Sequence, residues 1–130
     1  AFQRISTQPS ASNENPNDYL LALLASKEVE SHADLRFALR VALSRYHEKA
    51  GDPQAAIENL TAALELRPQD FVTLFNLARY YDWQGNPAEA QRILRKILAA
   101  PAGLSRAMIK LTHRRMEELE ARQRNHADNA

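Results

Sequence analysis

Four histidines, His32, His47, His113 and His126, are the side chains best suited to acid–base or metal chemistry. They are scattered, and none stands at metalloenzyme spacing from another histidine or a carboxylate. The chain has no cysteine, which removes thiol catalysis, disulfides and thiolate metal sites. Neither a glycine-rich phosphate loop nor a G-x-S-x-G elbow is present. His47 is expected to pack rather than act as a base. The sequence therefore reads as a non-enzyme with no cofactor and no metal.

What remains is charge and apolar surface, and the charge is unevenly spread. The 130 residues carry a formal charge of only +1, against a protein that seeks polyanions as a whole. Residues 1–34 hold two basic and five acidic groups, net −3, whereas residues 92–124 hold nine basic and three acidic groups, net +6. The basic stretch KLTHRRMEELEARQR invites a nucleic-acid or anionic-membrane reading. Glu117, Glu118 and Glu120 lie at helical spacing from several of its arginines, which predicts pairing within the helix, and no nucleic-acid motif accompanies it.

The elements that hold these groups are set by a tripeptide that occurs twice. Gly51-Asp52-Pro53 returns as Gly85-Asn86-Pro87, and Leu43/Leu77, Ala56/Ala90, Leu60/Leu94 and Leu64/Leu98 recur at the same offset. Each tripeptide reads as a corner between helices. Glycine ends one helix, Asp or Asn caps the next, and proline takes its first position. Glu89, three residues after Asn86, completes an expected capping box. A fixed period of this size marks stacked repeats, each too small to bury its own apolar face.

The expected elements follow in order. Residues 1–16 are polar and Pro-containing and read as a disordered tail or linker. Asn15-Pro16-Asn17-Asp18 opens a helix of about 12 residues, and Ser31 or Asp34 caps the next, which runs to about Ala50. Helices follow from Pro53 to about Leu66, Phe71 to Gln84, Pro87 to about Ala99, and Leu104 to Arg122, with residues 125–130 fraying. No segment alternates like a strand, so the fold class is all-α. No apolar run is long enough to span a bilayer. An N-terminal Ala rather than Met suggests a processed or excised chain, which leaves any membrane anchor to a parent protein.

Over residues 37–116 the chain resembles the tetratricopeptide repeats. GDPQAAIENLTAALELRPQD carries that family's turn glycine, its small residues at Ala56 and Ala63, Leu60 as the bulky one, and Pro68 as the stop. The second copy repeats them through Leu74, Leu77, Ala78, Tyr81, Ala90, Leu94 and Ile97. Arg40 and His47 depart from it, standing where the second copy has Leu74 and Tyr81. The resemblance implies a right-handed solenoid with repeats at about 37–70 and 71–104 and a capping helix at 105–124. It also implies close helix approach at Ser44/Ala78 and Ala56/Ala90.

In such solenoids the first helix of each hairpin, helix A, lines a concave groove. By that likeness the groove presents Ala38, Val41, Arg45, Glu48 and Lys49, then Val72, Phe75, Asn76, Arg79, Asp82 and Trp83, then Arg106, Ile109, Lys110 and His113. Arg45, Val72, Phe75, Asn76, Arg79, Trp83, Arg106 and Lys110 are the expected partner-binding residues. Trp83 is either a contact residue or a staple for the N-terminal helix. Asn76, Arg106 and Lys110 fall on three of the five positions with which some relatives clamp a chaperone's C-terminal carboxylate. Val41 and Arg45 depart at the other two. The resemblance implies a scaffold or adaptor that takes a protein or peptide, acidic or C-terminal. The Arg- and Ala-rich composition points to a bacterial source, with an envelope assembly or secretion complex as one setting. The competing class is a structural or homo-oligomerisation module.

Overall fold

The computed structural model describes residues 15–128, and those residues form seven helices and no strand. They are α1 Pro16–Ala25, α2 Lys27–Glu30, α3 Ala33–Lys49, α4 Pro53–Leu66, α5 Phe71–Trp83, α6 Pro87–Ala99 and α7 Arg106–Asp128. The all-α class follows. The expected tail lies outside the described residues except for Asn15 and Pro16, which are helical cap and first turn rather than linker.

Both tripeptide corners are built as expected. Gly51 and Gly85 adopt φ of 78° and 90°, the left-handed region that side chains with a Cβ avoid. The Gly51 N–H bonds to the Glu48 carbonyl and the Asp52 N–H to that of His47, and Gly85 and Asn86 repeat this on Asp82 and Tyr81. This is a Schellman closure, which satisfies carbonyls left over at a helix end. Asp52 then accepts from the Ala55 N–H at 3.1 Å and Asn86 from that of Glu89 at 3.3 Å. One residue trio thus stops a helix and starts the next.

Several expectations need correction. The N-terminal helix breaks at Ser26, whose hydroxyl donates to the Leu23 carbonyl and accepts from the Val29 N–H, so α1 and α2 are separate. Neither Ser31 nor Asp34 caps α3: His32 occupies the cap position without a capping bond, and Asp34 bonds Arg67 at 2.6 Å. Glu89 does not close a capping box, because its carboxylate is taken by Arg92. The last helix continues to Asp128, so residues 125–128 are helical rather than frayed.

The core is one cluster that joins α4 to α7, from Ala56, Ile57 and Leu60 through Leu74, Leu77 and Tyr80 to Ile93, Leu94, Met116 and Leu119. Each fully buried Leu contributes roughly 1.5–3 kcal/mol. Ser44, Ala78 and Thr112 hold the same place in successive repeats and are all buried, as are Ala56 and Ala90. Only small side chains fit where the backbones approach. Arg40 and Asn59 stand where the second repeat has Leu74 and Ile93, and they bond to each other at 3.1 Å. A polar pair thus fills in the first hairpin the space an apolar pair fills in the second.

Candidate functional site

The inner wall is made by α3, α5 and α7, and its floor is held by ion pairs between successive helices. Glu48 on α3 accepts from Arg79 on α5 at 2.9 and 3.2 Å and from the Tyr80 hydroxyl at 2.6 Å. Those bonds hold the Glu48 carboxyl below its usual range, with Arg79 the first cause and Tyr80 the second. Burial, and then the bond to Glu48, pushes the Tyr80 phenol up to about 12. One repeat further on, Asp82 takes the role of Glu48. It accepts from Arg122 at 2.6 Å and lies 3.5 Å from Arg115, both on α7. Arg115 also bonds Glu118 within its helix. The expected intrahelical pairing is therefore only part of the pattern.

These pairings sort the expected partner-binding residues. The Arg79 guanidinium is held by Glu48 and by the Asn76 side-chain oxygen at 3.3 Å, so both groups already have partners although they stay partly exposed. Phe75 is half-buried, with its ring 5.5 Å from that of Phe71 and packed on the core. Val72 is exposed. Trp83 is exposed beside Tyr80, ring centroids 6.2 Å apart, while α1 packs against α3. The staple reading of Trp83 is thus not the one the packing supports. Arg45, Arg106 and Lys110 are exposed, and among the described residues none has a carboxylate within ion-pair distance.

Arg45 borders an open cleft of about 500 Å³ with Asp34, Phe37, Ala38, Val41, Ala42 and Arg67. Arg67 lies 4.3 Å over the Phe37 ring and pairs with Asp34. Phe37 and Arg67 were not among the expected residues, because they lie outside the helix-A spacing used to find the groove. A larger hollow of about 780 Å³ lies where α7 passes the second corner, between Asp82, Gly85, Pro87, Leu119 and Arg122.

Among the described residues no three metal-ligating side chains converge, and no helix is long and apolar enough to cross a membrane. The family model of the tetratricopeptide repeat matches residues 48–111. Over that span the chain belongs to the tetratricopeptide repeat family. No curated protein and no solved structure matched it. The match runs from the end of α3 through α5 and α6 into α7, so both Gly corners lie inside it. Tetratricopeptide repeats generally mediate protein–protein interaction, and the family is typically non-enzymatic.

Proposed function

We propose that this chain binds an extended acidic or C-terminal peptide segment along the inner wall of its tetratricopeptide repeats, as a scaffold or adaptor. The supporting observation is the division of the wall's cations. Arg79 is spent on the floor, whereas Arg45 stands open on α3 and Arg106 and Lys110 on α7. Between them lie exposed Val72 and half-buried Phe75. A guest with carboxylates at two points and an apolar side chain between them matches that layout. The chaperone-type clamp is weaker support, since two of its five positions hold Val41 and Arg45. A place in an envelope assembly or secretion complex rests on composition alone.

The test is fluorescence polarisation with labelled acidic peptides, free and amidated at the C-terminus, at low and moderate salt. Arg45→Ala, Arg106→Ala and Lys110→Ala together should abolish binding without lowering the melting temperature. Binding unchanged in that triple variant would refute the reading.

A further inference from the structure

Among the described residues, a hairpin helix without its partner stands at each end of the stack. Ala22 precedes Ala56 by the same repeat length that separates Ala56 from Ala90, and Val29, Ala63 and Ile97 keep the same phase and are all buried. Residues 16–30 therefore occupy the place of a second hairpin helix, helix B. Asn15-Pro16 opens α1 with the cap chemistry of α4 and α6, three residues early, or about one helical turn. This helix packs on α3 as α4 packs on α5 and α6 on α7. Among the described residues no helix A precedes it, and Ala22 is exposed where Ala56 and Ala90 are 0% exposed. At the other end no helix B follows α7 among the described residues. Leu111 is 42% exposed there, against 0% and 6% at its equivalents Leu43 and Leu77.

We propose that these ends pair between two copies of this chain: α1 of one copy docks on the Leu111 face of α7 in the next, in the place helix B takes in the hairpins before it. Charge favours the match. Residues 106–116 carry Arg106, Lys110 and Arg114 beside Arg115, which is paired with Asp82 and Glu118, and no acidic group, whereas α1 and α2 carry Asp18, Glu28 and Glu30 against Lys27 alone. The contact joins unlike surfaces, so each copy keeps one open end and growth does not stop at two. Its apolar centre is Ala22 and Leu111, which lie outside the proposed peptide site, while Arg106 and Lys110 are shared with it, so Ala22→Arg and Leu111→Glu are the substitutions that separate the two.

Sedimentation velocity of the full chain, from micromolar to millimolar and at low and high salt, tests this. Leu111→Glu disables one end and Ala22→Arg the other; both positions are exposed, and circular dichroism checks that both variants fold. The wild type should grow past the dimer with concentration and shrink with salt. Each variant alone should associate about 30-fold more weakly or worse. Mixed in equal amounts, the two should form a one-to-one complex that grows no further, since one intact α1 meets one intact Leu111 face. A wild type monomeric throughout, an oligomer indifferent to both substitutions, or variants that fail to combine would overturn the proposal.

Discussion

Glu48→Gln isolates the link between α3 and α5, because it removes the charge and keeps the shape. The Glu48–Arg79 pair is about 35–40% exposed, so solvent screens it and its share is about 0.5–1 kcal/mol. Tyr80 is buried, and its bond to a charged acceptor contributes about 1.5–3 kcal/mol, of which a neutral amide oxygen keeps about half. Together the substitution should cost about 1.5–2.5 kcal/mol, a fall of roughly 6–15 °C in melting temperature for a domain of this size. Urea unfolding followed by circular dichroism and by Trp83 fluorescence measures it, with an unchanged denaturant slope. Freed from Glu48, Arg79 should also strengthen binding of an acidic peptide while the fold weakens. A loss under about 0.5 kcal/mol, or additive losses when Glu48→Gln is combined with Tyr80→Phe, would show that the cluster is not coupled.

The same cluster sets a pH dependence. The Tyr80 phenol ionises higher in the fold than its ordinary 10.0, so stability that is full below pH 10 should be lost as pH rises toward 12, and Tyr80→Phe should flatten that fall in midpoints from chemical unfolding. The depressed Glu48 carboxyl gives the converse, a loss in acid below its ordinary 4.5. Arg40→Leu or Asn59→Ile alone should destabilise by about 1–3 kcal/mol, the first by leaving the buried Asn59 side-chain oxygen unpaired and the second by stranding the half-buried Arg40, whereas the pair together, which copies Leu74 and Ile93, should be neutral or stabilising. Asp82→Ala should cut two ties to α7, seen as faster amide exchange in residues 115–128 with little change in α3 and α4.

The corners and the core were legible because each depends on few residues close in sequence. Gly51-Asp52-Pro53 stops and starts helices by local bonding alone, and the repeat phase carries Ser44 to Ala78 to Thr112. The cap of α3, which has no such corner, was misplaced: Asp34 looked like a cap, but Arg67, 33 residues away, holds it. On the candidate site, spacing along helix A named Arg79 and Asp82 as wall residues but could not say that Glu48, Arg115 and Arg122 neutralise them. Those are contacts between helices, where side-chain reach decides the partner. Glu48 and Asp82 lie one repeat apart, and that was the available signal, since equivalent acids imply equivalent counter-ions on the next helix.

This stack is fastened by charge on its inner side and by hydrocarbon between its two layers of helices. Solvent acts on the two fastenings in opposite senses: added sulfate screens the half-exposed carboxylates and guanidiniums while it strengthens apolar burial. The spiral should therefore behave as a spring that loosens from within, and its radius in small-angle scattering should widen with that salt before any helix melts.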